Sequence, residues 1–423
     1  MTNTSSTLRS AIGPGLLMAG AAIGVSHLVQ STRAGAEYGV GMAIIVILAC
    51  VLKYPFIQFG PRYAAATGES LIAGYQRLGP WALGLFSLIT IATMFFIQAS
   101  VTIVTAGLAG MVFGLEQSIT VLSAGVITAC AVVLAVGHYR GLDLLMKLIM
   151  GALAVTTVAA VALAFGAGPE SGALDPLASW DALWTATGIA FLLALLGWMP
   201  IPLDVAAWHS LWTLERAAQT GRRPSVAHAV IDCRIGYIAA TVTAVLFLLL
   251  GALVMHGSGQ TLPDSAVAFA GGLVDLYASS LGEWSRPLIA VAALTAMFST
   301  TLAVTDAYPR VLRALIEQTG VADDEDPAPN LHRSRYISAL LLVTIGALLV
   351  IRFSGERFTT LIDFTTTVSF LSAPLLAWLS LRLLTSRHMP AEHRPGRGLL
   401  FLARAGFGFL VAFSLLWLAW RLF

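Results

Sequence analysis

Two short stretches place polar chemistry inside segments that are otherwise apolar. In AAIGVSHLVQ, residues 21 to 30, Gly24, Ser26 and His27 interrupt a long hydrophobic run. In GWMPIPLDVAAWHS, residues 197 to 210, the interruption carries Met199, Pro200, Pro202, Asp204 and His209. Each of the two prolines removes a backbone donor and crowds the preceding turn, so a helix through this stretch must break. Freed carbonyls and amides are tolerated in hydrocarbon only where protein buries them or where they line a wet cavity. Both breaks therefore predict a place where a ligand meets backbone and side chain together. A hydroxyl, an imidazole titrating near pH 6.5, a soft thioether and a carboxylate are the groups on offer.

Other chemistries are not supported. The eight histidines do not pair at i, i+4, and neither GxSxG nor a phosphate-binding GxxxxGK[ST] occurs. No enzyme and no ATP-driven pump is expected, so uphill transport would draw on an ion gradient. Cys50, Cys130 and Cys233 lack paired metal or redox spacing and read as packing residues. No cofactor is expected beyond a coupling ion.

The elements that position these residues follow from composition. The chain is 57% hydrophobic and 11% charged over 423 residues, with a mean hydropathy of +0.83, which defines an all-α integral membrane protein. A net charge of +2 without a basic face leaves a nucleic-acid partner unsupported. Counting runs of roughly 20 apolar residues gives about eleven spans. They lie near 11 to 36, 39 to 64, 82 to 113, 118 to 137, 141 to 166, 184 to 215, 229 to 254, 286 to 316, 335 to 353, 358 to 384 and 398 to 422.

Arg62, Arg77, Arg140, Arg216, Arg222, Arg223 and Arg310 fall in alternate loops. The positive-inside rule then predicts a cytoplasmic N-terminus and an extracytoplasmic C-terminus in the cell membrane. The polar stretch MTNTSSTLRS carries no cleavage signal, so the first run is expected to stay in the bilayer. ADDEDPAPN, 322 to 330, reads as an acidic cytoplasmic loop. Trp180, Trp184, Trp284, Trp417 and Trp420 sit near span ends, where an interfacial belt accounts for them. Lys53, Asp306 and Asp363 lie within spans and suggest a polar path or interior ion pairs.

The breaks occupy the first and sixth spans, corresponding members of two five-helix halves. This pattern predicts an inverted-repeat secondary transporter with its site between two discontinuous helices. One transporter domain is expected, with repeats at 11–166 and 184–384 and an extra helix at 398–422.

At the level of motifs the chain resembles the Nramp family of proton-coupled divalent-metal transporters, which adopt the leucine-transporter fold. GPGLLMAGAAIG at 13 to 24, RAGAEYG at 33 to 39, ATGES at 66 to 70, GWMP at 197 to 200, HS at 209 to 210 and STTLAVTDAY at 299 to 308 carry the resemblance. The departures fall on the metal chemistry. Where the family has DPGN, this chain has Gly24, Val25, Ser26 and His27. The family's sixth-helix methionine is retained as Met199, while Ile201 replaces the histidine two residues on. Thr366 stands in the tenth span where a metal-facing glutamine is usual, and Met94 and Ile97 align near the family's proton-carrying acids.

A dehydrated divalent cation needs compensating negative charge, and the first-helix carboxylate is gone. Each broken helix restarts with unpaired amides worth roughly half a positive charge. The expected substrate is therefore a small anion such as bicarbonate, bound by Gly24, Ser26, His27, Met199, Pro200 and Thr366. His27 also has the plain reading of a hydrogen-bonded packing group. By resemblance to the fold, a sodium coupling site is expected at Ser299, Thr300, Thr301, Thr305 and Asp306. The alternative is a divalent-metal transporter for Mn2+ or Mg2+ in which Asp204 and Met199 are the ligands; otherwise Asp204 caps the second half-helix. A non-transporting receptor is a further alternative. The expected partners are a small inorganic ion and the lipid bilayer, with the chain acting as a monomer.

Overall fold

In hydrocarbon the backbone must satisfy itself, and this chain does so with helices; no strand occurs among the described residues. The structure is a computed structural model that describes residues 13–136, 139–167, 174–177, 180–258, 263, 265–319, 329–354 and 357–422. The polar N-terminal stretch and most of the acidic segment at 322–330 lie outside the described residues.

Every expected span has a helix or a broken pair. The first is α1 (Pro14–Ala22), then a π-helical turn (Ser26–Ser31) running into α2 (Thr32–Tyr38). The second is α3 (Met42–Thr67), followed by a short α4 (Leu71–Leu78). The third to fifth are α5 (Pro80–Phe113), α6 (Ile119–Val136) and α7 (Tyr139–Gly166). After the four-residue α8 (Trp180–Leu183), the sixth span is split into α9 (Ala186–Trp198) and α10 (Val205–Thr220). The rest are α11 (Val226–Val254), α12 (Ala266–Leu281), α13 (Arg286–Gln318), α14 (Pro329–Ser354), α15 (Phe358–Thr385) and α16 (Arg397–Leu422). Seven of these helices are long and apolar enough by themselves to cross a membrane.

Two helices, α4 and α12, fall outside the expected spans. The first has eight residues with Gln76 and Arg77 in its last turn, and the second has sixteen, so neither passes a test tuned to runs of about 20 apolar residues.

Local chemistry sets the helix starts. The hydroxyls of Ser70, Thr185, Ser225 and Ser265 accept from the third amide of α4, α9, α11 and α12 respectively, the usual remedy for orphan N–H groups. At the start of α1 the carboxylate of Asp232, on α11, accepts from the Gly13 and Gly15 amides at 3.2 and 2.6 Å. A negative group at a helix N-terminus is favoured by the dipole, so this contact ties the first half-helix to α11.

The residues at the two breaks are almost all buried, and the bundle's outer faces carry Ile44, Leu48, Phe353 and Phe401 in exposed positions, as lipid contact requires. α11 packs along α1, α2 and α3, while α10 packs on α3 and α9 on α15. Each break is thus braced by a continuous span: the first by α11, the sixth by α3 and α15.

Candidate substrate site

Between the two breaks lies a small cavity of about 20 Å³, room for roughly one water molecule. Ser26 and Thr300 supply its hydroxyls, and Val25, Trp198, Ile201 and Trp208 are among its apolar walls. No carboxylate lines it. Among the described residues no group of three or more His, Cys, Asp or Glu side chains is arranged to hold a metal ion.

The first break begins where α1 ends. Gly24 is pressed against α13: a Cβ there would lie 2.6 Å from Thr300 Cγ2 and 2.7 Å from its Oγ1. Only glycine permits that approach. Thr300 uses it to donate to the Gly20 carbonyl at 2.8 Å, with the Ile23 carbonyl at 3.3 Å. Carbonyls freed by the break are therefore met by a hydroxyl from α13.

Ser26 Oγ lies 3.0 Å from the Ala22 carbonyl, 3.4 Å from the Pro200 carbonyl and 2.8 Å from His27 Nδ1. It touches both breaks at once. His27 is fully buried but faces away from the cavity, with Nε2 2.8 Å from the Ala240 carbonyl of α11. A carbonyl only accepts, so Nε2 carries the proton and Nδ1 is left as an acceptor for the Ser26 hydroxyl. His27 was expected at the substrate; the structure places it at the joint between the first span and α11. The register explains this, since residues 26 and 27 of a helical turn point about 100° apart.

In the sixth span, Met199 follows α9 in extended conformation, and the Met199–Pro200 peptide is cis. Its buried sulfur receives the Ser31 hydroxyl at 3.8 Å. Thr366 is buried and turns its hydroxyl back to the Ile362 carbonyl at 2.8 Å, with the Gln30 amide nitrogen 3.5 Å away. Asp204 is the N-cap residue of α10, although its side chain makes no capping bond, and Tyr308 donates to it at 3.3 Å. Gly24, Ser26, Met199 and Pro200 thus gather around the two breaks, whereas Thr366 and His27 serve neighbouring helix contacts.

The expected coupling-ion residues diverge. Thr300 meets the first break, but Thr301 faces α5, 2.7 Å from Thr105 Oγ1. Asp306 is taken by Arg310 at 2.7 Å and Tyr336 at 2.9 Å, and Arg310 reaches on to Glu215 at 3.0 Å. Ser299 is half-buried. Thr305 donates to the Thr301 carbonyl and receives the Gln98 amide.

Sequence reasoning left two groups without a definite role. Lys53, on α3, is buried and donates to the Leu196 and Gly197 carbonyls, each at 3.1 Å. Arg33, within the expected first span, donates to Asp363 at 2.8 Å, and Gln30 donates to the same carboxylate oxygen at 2.9 Å. The signal for Lys53 was its place in the middle of an apolar span. For Arg33 it was a charge inside the 11 to 36 span.

Eleven spans, with the first and sixth broken around one buried cavity, define a multi-pass membrane transporter of the leucine-transporter fold. The chain belongs to the natural resistance-associated macrophage protein-like (Nramp) family, whose sequence model matches residues 15–419. An uncharacterized protein of Pasteurella multocida is 35% identical over 412 residues, covering 97% of this chain and 92% of the relative. Crystal structures of the Eremococcus coleocola manganese transporter superpose with a TM-score of 0.75 at 16% identity, covering 98% of this chain and 88% of theirs. The structure of MhsT in complex with L-phenylalanine superposes with a TM-score of 0.62 at 14% identity, over 95% of this chain and 98% of that one. The fold is thereby shared with a manganese transporter in one case and with a protein in complex with L-phenylalanine in the other.

Proposed function

We propose that this Nramp-family transporter carries a small monovalent oxyanion, with bicarbonate the first candidate. The supporting observation is the cavity wall: two hydroxyls, two tryptophans and aliphatic side chains, without a carboxylate. A bare divalent ion there would lack the negative charge that offsets its desolvation. An anion would find the Ser26 and Thr300 hydroxyls and the N-terminal end of the second half of the first span. Lys53, beside the sixth-span break, adds a basic group on the same side of the argument. Bicarbonate both donates and accepts, which matches hydroxyls that can do either. The cavity, with room for about one water, must widen to admit it, as alternating access requires.

The test is uptake of labelled bicarbonate into proteoliposomes, with chloride, nitrate and Mn2+ compared in parallel. Bicarbonate flux that unlabelled bicarbonate competes away is the expected result; Mn2+ flux with no anion flux rejects the reading.

A second reading, a divalent-metal transporter, is favoured by the buried Met199 sulfur at the end of α9 and by the fold shared with manganese transporters. It needs Asp204 as the charged ligand. Asp204→Asn should then abolish metal uptake, and metal uptake that survives the substitution removes Asp204 from the ligand set.

We further propose sodium as the driver, at a smaller site than the sequence suggested: the Gly20 and Ile23 carbonyls with Thr300, and Ser299 adjacent. Sodium-independent uptake would remove it. The arginine distribution supports a cytoplasmic N-terminus and an extracytoplasmic C-terminus, and the repeats are assigned to 11–166 and 184–384, with 398–422 outside both.

A further inference from the structure

We propose that the Lys53 ammonium is a resident cation, a tethered positive charge occupying a cation-binding position at the break in the sixth span. The proposal rests on the reading of this chain as one that does not seat a metal there.

The position is built from three kinds of group. α9 ends at Trp198, so the Leu196 and Gly197 carbonyls belong to its last turn, which lacks intrahelical donors and carries the negative end of the helix dipole. Both carbonyl oxygens lie 3.1 Å from Lys53 Nζ. Across the break Asp204 opens α10 as its N-cap residue. Two converging carbonyls with a carboxylate nearby form the oxygen-rich setting that a hard monovalent cation would take.

Lys53 cannot readily leave this place. Seven residues further along α3, about 10 Å of helix, Gly60 sits against α10 so closely that a Cβ would lie 2.0 Å from the Ala206 carbonyl. Backbone-to-backbone contact there fixes α3 relative to α10. The side chain is also one of only two lysines among 24 basic residues, the other being Lys147. A lysine suits this role because its ammonium is a compact point charge with three donors, whereas the flat guanidinium of arginine would need a wider slot. Two of those donors go to the carbonyls, and the four-carbon stem is buried among the spans.

The consequence is a site that a free cation fills only when the tether is cut. Lys53→Ala leaves the carbonyl end and Asp204 facing a cavity the size of the lost propylammonium arm. The experiment is thermal unfolding of purified wild type and Lys53→Ala in ethylammonium or propylammonium chloride, with tetramethylammonium chloride as the ionic-strength control. The variant is expected to gain several degrees from the primary ammonium ions, and the wild type none beyond the control. A folded variant that gains no more than wild type overturns the proposal.

Should Lys53→Ala fail to fold without cation, two further measurements decide. Lys53→Met keeps the apolar stem and leaves room for ammonium or Na+ at the head, so the same stabilisation is expected with those smaller ions. Lys147→Arg makes Lys53 the sole lysine, and its selectively labelled Cε resonance at neutral pH must be that of an ammonium; a neutral amine overturns the proposal. Wild-type bicarbonate flux tests the anion reading separately: intact flux with no cation rescue removes the tethered cation alone.

Discussion

His27 Nε2 donates to the Ala240 carbonyl at 2.8 Å, and through this bond the break in the first span is fastened to α11. The relationship has a counterpart at the other break, where Lys53 of α3 donates to the carbonyls at the end of α9. Each broken span is thus joined by a nitrogen donor to a continuous span packed against it. The donor sits on the broken span in one case and on the brace in the other.

This arrangement makes His27 a positioning residue. His27→Ala leaves a buried carbonyl unpaired and a void beside it, which should cost about 2 to 4 kcal/mol. His27→Gln, which can still donate to Ala240, should recover part of that loss. Thermal unfolding in detergent and uptake into proteoliposomes should move together across the pair. Full stability in His27→Ala with transport lost would instead return the imidazole to the substrate.

The Gly24–Thr300 approach predicts a compensating pair. Gly24→Ala puts a methyl 2.6 Å from Thr300 Cγ2, a clash that only separation of the first span from α13 relieves, at a cost of about 1 to 3 kcal/mol. Adding Thr300→Ala removes both the methyl and the hydroxyl it meets, so the double variant should be more stable than Gly24→Ala alone. If sodium is held by Thr300 and the freed carbonyls, the same double variant should regain folding yet lose sodium dependence. Additive losses in stability would show that the two residues do not share this contact.

Much of the fold was legible because the bilayer demands long apolar runs, and the breaks at Gly24 and Pro200 stand out against them. Side-chain direction was not. Ser26 and His27 are neighbours in sequence, but one meets the cavity and the other meets α11. Thr300 and Thr301 diverge in the same way, toward the first break and toward α5. Asp306 read as a possible ion ligand because its partners, Arg310 and Tyr336, lie one turn and one helix away. A linear motif lists polar residues at a depth; rotation about the helix axis and the neighbours across it decide which of them face the same space.

Ser26 is the hydroxyl that touches both breaks. A hydrogen bond to a charged partner contributes about 1.5 to 3 kcal/mol, so Ser26→Ala should raise KM for bicarbonate about tenfold or more. Its melting temperature should stay within a few degrees of wild type, because the Ala22 carbonyl remains near other donors of the first span. Concentration-dependent uptake measures the effect. An unchanged KM would take the hydroxyl out of the substrate's contacts and leave Thr300 as the donor to examine.

Arg33, Gln30 and Asp363 join α2 to α15 at the end of the bundle opposite Asp232 and the start of α1. Arg33 and Gln30 donate to the same Asp363 oxygen, at 2.8 and 2.9 Å, and the Arg33 guanidinium lies 5.0 Å above the Phe191 ring of α9. One arginine thus links three helices that must part if the cavity is to open on this side. Arg33 is 13% exposed and Asp363 36%, so solvent screens the pair and its worth is held to about 1 kcal/mol. That corresponds to about a fivefold change in the open population. Asp363→Ala or Arg33→Ala should therefore speed labelling of Val25→Cys, a cavity residue, by a membrane-impermeant thiol reagent severalfold. Cys50, Cys130 and Cys233 are buried and give a low background. The exchange Arg33→Asp with Asp363→Arg should slow labelling again, since the attraction survives although Gln30 loses its acceptor. Identical labelling rates in all four proteins would show that these helices are held shut by packing alone.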